Sequence, residues 1–412
     1  MFFHLTTLGC KVNQYETETV RTALLSHGYT EIVEGGVADL VIVNTCTVTA
    51  ESEAKSRKII RKLIRENPGA QVVVMGCAAS HKPDEMLQID GVAQVITNKA
   101  QVPDFLLQLG ITTLPIGIAS FGERHRAFIK VQDGCKANCS YCIVPKVRPV
   151  LRSRPIDDIL PEIRTLAHNG YREIVLTGIH LGHYRIDARS HTGQNLADLV
   201  RRAVDLPEEF RIRLSSLEAA EVTDDLLDLM QRYPDRLCPH LHVPMQSGST
   251  EVLRLMKRRW LGKKFIRRCE EILSKFDRLA LTTDVIVGFP GEFVKQFDDT
   301  LKVIERLRFS KVHIFRFSPR EGTEAATLPH QVHPVEKKRR AWILSSFAEN
   351  FRAEFAASLV GSTETVLLET PTSGTCGRYL EVRLEQPAKV GTLVDVQIER
   401  SEGDVCYGKQ VE

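Results

Sequence analysis

Three cysteines within one short stretch carry the most specific chemistry in the chain. Gly134-Cys135-Lys136-Ala137-Asn138-Cys139-Ser140-Tyr141-Cys142 spaces them C-x3-C-x2-C, with no histidine nearby and no fourth cysteine in register. A structural zinc site closes four protein ligands around its ion. Three thiolates suit a 4Fe–4S cluster instead, because one iron is left open to a small molecule. A loose zinc loop or three structural thiols are the alternatives, and the spacing favours the cluster.

A second set is dispersed. Cys10, Cys46 and Cys77 each follow a short apolar run: Phe2 to Leu8, Leu40 to Val43 and Val72 to Met75. Each run reads as a buried strand. Helical periodicity is expected between them, from Glu16 to His27 (stopping at Gly28) and from about Thr49 to Glu66 (stopping at Asn67-Pro68-Gly69). Strand and helix in alternation predict a parallel, doubly wound sheet over residues 1–117. The loops at the C-terminal ends of such strands converge on one crevice, so the three cysteines are placed to meet there. Three unrelated buried thiols are the plainer alternative.

The remaining elements must hold the first cysteine loop. Strands are expected at Arg126–Val131, Glu173–Thr177, Phe210–Ser215, Pro239–Val243, Leu279–Val287 and Lys311–Phe315. Helical stretches such as Ile156–His168, Asn195–Leu206 and Lys295–Leu307 separate them. Six βα units predict a partial (β/α)6 barrel over residues 118–350, with its site at the strand ends. Residues 351–412 read as short alternating strands at Thr365–Leu368, Arg378–Leu384, Leu393–Glu399 and Val405–Val411, a small antiparallel β-barrel. Cys238, Cys269, Cys376 and Cys406 lack ligand spacing and read as packing residues. The fold class expected for the whole chain is therefore α/β.

Charge bounds the partners. The formal net charge is +3 for 412 residues, yet residues 121–360 alone carry 40 Lys+Arg against 31 Asp+Glu. An anionic partner is expected to meet the middle of the chain. Basic clusters lie at Lys146, Arg148, Arg152 and Arg154, at Lys257-Arg258-Arg259, at Lys263-Lys264 with Arg267-Arg268, and at Lys337 to Arg340. They suit a phosphate backbone, although each could equally be a solvated face. No run approaches eighteen apolar residues and no signal peptide is evident, so a cytoplasmic protein without a membrane partner is expected. Ten cysteines in such a compartment point to metal or redox chemistry rather than disulfides.

The order of these motifs resembles the methylthiotransferases of the radical S-adenosylmethionine (SAM) superfamily. The resemblance runs through the cysteine loop, with Tyr141 directly before the third cysteine. It continues through strand-end motifs around Gly178, Ser216, Gln246 and Asp284–Glu292, and the opening Leu8-Gly9-Cys10-Lys11-Val12-Asn13-Gln14-Tyr15-Glu16-Thr17-Glu18. That opening looks most like the branch acting on N6-threonylcarbamoyladenosine beside the tRNA anticodon. The resemblance implies that Cys135, Cys139 and Cys142 ligate a SAM-binding 4Fe–4S cluster. Tyr141, Gly178, Ser216 and Gln246 would then contact SAM, and Cys10, Cys46 and Cys77 would hold an auxiliary 4Fe–4S cluster. No catalytic residue beyond the cluster ligands is implied. The partners implied are the tRNA anticodon stem-loop and an electron donor such as flavodoxin or ferredoxin, with residues 351–412 a TRAM-like RNA-gripping domain. The activity implied is addition of a methylthio group to C2 of the base at position 37. Other expectations are the same chemistry on isopentenyladenosine or on a ribosomal-protein aspartate, and a non-catalytic iron–sulfur RNA-binding module.

Overall fold

The computed structural model describes all residues except 33–34, 114, 123, 187–192, 261 and 412. Strand β1 (Phe2–Thr7), α1 (Lys11–Ser26), β2 (Thr30–Glu31), β3 (Leu40–Thr45), α2 (Ala50–Glu66), β4 (Gln71–Gly76), α3 (Cys77–His81), α4 (Pro83–Leu87), β5 (Val92–Val95) and α5 (Val102–Gln108) build the N-terminal unit. Its sheet runs β2-β1-β3-β4-β5 with every neighbour parallel. Side chains alternate across a strand, so consecutive residues of β3 feed opposite cores. Leu40 and Ile42 pack with α1 and α5 on one face, and Val41 and Val43 pack with α2 on the other. The expected doubly wound sheet is present. Helix α1 begins earlier than the periodicity indicated: it starts directly after Cys10, carrying Val12, Asn13 and Tyr15 inward.

The barrel follows. Its elements are β6 (Arg126–Asp133), α6 (Val144–Val147), β7 (Arg152–Ser153), α7 (Ile156–His168), β8 (Glu173–Gly178), α8 (Leu196–Val204), β9 (Arg211–Leu214), α9 (Asp224–Arg232), β10 (His240–His242), α10 (Thr250–Leu255), α11 (Gly262–Ser274), β11 (Ala280–Val287), α12 (Val294–Leu307) and β12 (Lys311–Arg316). Strands β6, β8 and β9 pair in parallel, as do β10, β11 and β12, and a parallel bridge from Ile212 to Leu237 joins the two sets. The six strands therefore form the expected partial barrel, with β7 added antiparallel to β6. Ile129, Ile163, Ile174, Leu199 and Ile304 belong to one core that fills the layer between strands and helices.

Helix α13 (Pro334–Ser358) leaves the barrel and delivers Ala356 and Leu359 to the core of the last unit. That unit is a closed barrel ordered β13-β14-β15-β17-β16, from β13 (Thr363–Thr370), β14 (Ser373–Cys376), β15 (Glu381–Leu384), β16 (Leu393–Glu402) and β17 (Val405–Gln410). It has five strands where four were expected. It is not wholly antiparallel either, since β15 pairs with β17 in parallel. Cys238, Cys269, Cys376 and Cys406 are buried free thiols, as their lack of spacing indicated. Among the described residues no helix is long and apolar enough to cross a membrane.

Candidate active site

The dispersed cysteines do come together. Cys10 caps the N-terminus of α1, Cys46 follows β3, and Cys77 opens α3 directly after β4. Gly76 makes the last turn possible. Its φ of +98° is a conformation side chains rarely adopt, and a Cβ there would run into Asn44 and the Thr45 backbone. A Cβ on Gly9 would stand 3.0 Å from Cys46 Sγ, so the first and second loops also touch. Asn13 ties them together, donating to Leu8 O and Thr45 O at 2.9 Å each. Burial pushes the Cys77 thiol up, the nearby Arg148 guanidinium pulls it down, and Cys10 and Cys46 push it up further.

Two buried arginines from the barrel reach into this crevice. Arg148 donates to Asn13 Oδ1 at 2.8 Å, to both Glu16 oxygens at 2.9 and 3.0 Å, and to Asp133 at 2.7 Å. Arg320 donates to Thr47 Oγ1 at 2.7 Å and pairs with Glu53. Among the described residues the Nε of each arginine is buried without a partner. Buried donors are rarely left so, and these two N–H groups lie beside the loops of Cys10, Cys46 and Cys77. The sulfides of a cluster would accept from them, and the donor set fits the auxiliary group.

The compact loop leaves β6 and turns through Cys135, Cys139 and Cys142. Gln132 anchors it. This buried amide donates to Asp133 O and Gly134 O at 2.9 and 2.8 Å and accepts from the His180 amide at 2.8 Å. Gly178, at the end of β8, is packed on Gln132, where a Cβ would meet Gln132 Cβ at 2.9 Å. Cys135 Sγ accepts from the Ala137 amide at 3.3 Å and lies 3.6 Å from His180 Nδ1. Burial raises its pKa, but those contacts outweigh burial and leave it below the usual thiol value. At Cys142 burial outweighs the lowering effect of the Val144 amide and pushes the thiol up to about 12. Arg258 Nη1 stands 3.9 Å from Cys139 Sγ and its Nη2 holds Glu218 at 2.5 Å. A metal-bound thiol is deprotonated outright, so these donors suit a ligated loop.

Among the described residues, the ligand atoms of His180, His183 and Glu221 lie within 4.8 Å of one another. Those three bond to each other: His180 Nε2 meets Glu221 at 2.6 Å and the imidazoles stack at 3.6 Å. Glu221, His180 and Cys135 thus form a chain that orients the first loop thiol. None of these partners was singled out from sequence. The one available signal was position, since His180 lies two residues past Gly178 in a strand-end motif.

The proposed SAM contacts divide. Tyr141 and Gln246 line one cavity of about 190 Å³ with Cys142, Asp284, Ile286, Phe315 and Phe317. Tyr141 packs edge-on against Phe289, ring centroids 6.4 Å apart. Gln246 has φ +69°, a strained conformation for a non-glycine residue, held by Gln246 N to Asp284 O at 2.8 Å and Ile286 N to Gln246 O at 2.9 Å. Gly178 and exposed Ser216 lie at neighbouring strand ends and not among that cavity's lining residues. The basic clusters divide likewise. Arg148, Arg154, Arg258 and Arg340 are engaged by Glu16, Glu162, Glu218 and Glu292, so they serve the interior. Arg152 and Arg259 of these clusters remain exposed, as does Lys136 in the cysteine loop.

Family and relatives agree with this geometry. Residues 2–98 match the model of an uncharacterized protein family, UPF0004, and residues 129–304 match that of the radical SAM superfamily. The chain is 37% identical to the threonylcarbamoyladenosine tRNA methylthiotransferase MtaB of Chlamydia pneumoniae, over 99% of this chain and 98% of the relative. It is 36% identical to that of Bacillus subtilis, over 86% and 81%. It is 30% identical to the tRNA-2-methylthio-N(6)-dimethylallyladenosine synthase of Solibacter usitatus, over 89% and 86%. In fold it resembles the radical SAM methyltransferase TsrM from Kitasatospora setae (TM-score 0.54, 15% identity, 76% of this chain and 74% of that one). It likewise resembles the radical SAM enzyme OxsB (TM-score 0.56, 10% identity, 85% and 56%). Two cysteine sets on a doubly wound sheet and a partial barrel, with relatives matched end to end, place the chain in one family: it belongs to the radical-SAM methylthiotransferases, as an MtaB-like member.

Proposed function

We propose that this chain adds a methylthio group to C2 of N6-threonylcarbamoyladenosine at position 37 of tRNA, working in the cytoplasm with an electron donor of the flavodoxin or ferredoxin class. The observation that carries the reading is the approach of the two cysteine sets. Cys77 packs directly on Ile143 and Val147, just past Cys142, while Arg148 from the same segment bonds Asn13 beside Cys10. When bound, the two 4Fe–4S clusters and SAM supply radical activation of an unreactive carbon and the sulfur and methyl group placed on it.

Each residue then has a task. Cys135, Cys139 and Cys142 hold the SAM-binding cluster, and Cys10, Cys46 and Cys77 hold the auxiliary one. Tyr141 and Gln246 wall the SAM cavity, with Gly178 and Ser216 at the adjoining strand ends. The Tyr141, Phe289 and Phe317 cluster keeps water from that wall. Arg148 and Arg320 fix the N-terminal unit on the barrel, so that the distance between the sets is set by packing. The base must leave its stack to reach both sets. Exposed Lys136, Arg152 and Arg259 are suited to hold the RNA backbone meanwhile. Residues 1–117, 118–350 and 351–412 act as auxiliary-cluster unit, SAM barrel and TRAM-like unit.

Anaerobic turnover of the reconstituted protein with tRNA bearing or lacking the threonylcarbamoyl group tests this. Methylthiolated nucleoside is expected only from the former. Product from isopentenyladenosine tRNA alone would overturn the assignment of the base.

A further inference from the structure

The lumen of the partial barrel is lined by charge rather than by aliphatic side chains. Tyr379, in left-handed backbone at φ +66°, pushes its ring from the C-terminal unit against the barrel. It stacks on His240 with centroids 5.2 Å apart, and Arg213, Arg126 and Lys311 stand 4.9, 5.6 and 5.9 Å from its ring. Lys11, the first residue of α1, reaches in beside β6 with Nζ 5.9 Å from the Phe128 ring.

The carboxylates nearby are already engaged. Glu173 takes Arg211 and Arg213 at 2.7 Å, Glu369 takes Arg126 at 2.8 Å, and Asp284 takes His242 at 3.2 Å. Asp404 takes Arg352 at 2.5 Å. Among the described residues Lys11 Nζ, Lys311 Nζ, Tyr379 Oη and the His313 ring have charged neighbours but no hydrogen-bond partner. Lys11 and Lys311 are partly buried beside other cations, a setting that favours an incoming anion. Lys11, Arg126, Arg213 and Lys311 together pull the Tyr379 phenol down against the effect of burial.

A line of polar side chains runs from the cavity walled by Tyr141 and Gln246 toward this cluster. Asp284 lines that cavity, and its partner His242 faces His313 at 5.5 Å. A substituent on a base held at the cysteine level could extend along this line. The threonylcarbamoyl group ends in a carboxylate, whereas a dimethylallyl group carries no charge. We propose that the barrel lumen is an anion subsite that receives the carboxylate of the threonylcarbamoyl substituent, with Lys11 as its ion-pair partner and Lys311 and Tyr379 completing the cradle. This rests on the substrate reading above.

The test uses the reconstituted holoenzyme and anticodon stem-loop RNAs that carry the threonylcarbamoyl group or its carboxamide analogue. One charge-assisted contact predicts that the wild type favours the carboxylate RNA by about tenfold or more in kcat/KM. Lys11→Met, Lys311→Met and Tyr379→Phe should collapse that ratio toward one through KM, with iron per chain reporting that both clusters are loaded. Because Lys311 and Tyr379 lie outside the cysteine loops, their variants keep the test decisive if Lys11→Met loads poorly. Iron-loaded variants that keep the wild-type ratio would overturn the inference. So would equal weakening on both RNAs, which marks a phosphate contact. A wild type that turns over both RNAs equally overturns the subsite alone. A wild type that turns over neither overturns the substrate reading and the subsite with it.

Discussion

At the scale of single residues, the site works through side chains that never touch the reacting atoms. Glu221 bonds His180, and His180 faces Cys135 Sγ at 3.6 Å. Hydrogen bonds to sulfur ligands raise the potential of an iron–sulfur cluster. His180→Phe is therefore expected to lower the potential of the barrel cluster while iron content holds, read by a redox titration followed by electron paramagnetic resonance. An unchanged potential would mean that the imidazole serves packing alone. Arg258 shows why a charge run misleads: within Lys257-Arg258-Arg259 it is the middle residue that turns inward to Cys139 and Glu218. Neutralising all three should impair SAM cleavage without RNA. Neutralising only exposed Arg259 should weaken tRNA binding and flatten its salt dependence. An identical salt slope in Arg259→Gln would remove that residue from the RNA face. The compact cysteine loop was legible because its spacing is local. Arg148 and Arg320 were not, since their partners in the N-terminal unit lie more than a hundred residues away in sequence and only the fold brings them near.

At the scale of elements, strand ends do the positioning. Three parallel strands end side by side, so their cysteines meet regardless of sequence distance. Gly76 is the tightest of these ends. Gly76→Ala forces a methyl toward Asn44 and the Thr45 backbone and adds strain of order 1–3 kcal/mol. Iron should drop by about one cluster per chain and the denaturation midpoint should fall. Full iron loading at an unchanged midpoint would contradict the geometry. Periodicity disclosed β1, β3 and β4 because their buried runs are unmistakable. It missed the start of α1, the turn Lys11 to Tyr15, where Asn13 is polar yet buried, and it missed the two-residue β2, too short for any pattern. The parallel pairing of β15 with β17 follows from barrel closure, which no local signal encodes.

At the scale of the whole molecule, buried ion pairs join the units. Glu173, fully buried on β8, is shared by Arg211 and Arg213, whose remaining donors bond Thr365 O, Thr375 O, Cys376 O and Gly377 O of the C-terminal unit. Burial raises the Glu173 carboxyl, but the two arginines outweigh burial and hold it well below the usual carboxylate range. Because the folded pKa is depressed, the stabilisation is complete above an unfolded value of about 4.3 and is lost as pH falls below it. Glu173→Gln leaves two buried guanidiniums uncompensated, a cost of about 3–5 kcal/mol. Thermal unfolding should shift to lower temperature, and the variant should lose part of the acid sensitivity below pH 4.3. A variant as stable as the wild type would show that the C-terminal unit docks by other means. The parallel sheet, the partial barrel and the small β-barrel were legible from periodicity, whereas this junction was not, because acidic residues 361–412 give no sign that main-chain carbonyls are what the barrel arginines seek.

The central claim is that the two cysteine sets do separate work: one cleaves SAM, and the other delivers sulfur. It is tested most directly by replacing Cys10, Cys46 or Cys77 with Ala. The variant is incubated anaerobically with SAM, reductant and tRNA, and 5′-deoxyadenosine and methylthio-nucleoside are measured in one sample. Deoxyadenosine should persist, because the barrel loop is anchored independently by Gln132, while methylthio-nucleoside should fall to background. Methylthiolated product at wild-type level from an iron-depleted variant would contradict the claim.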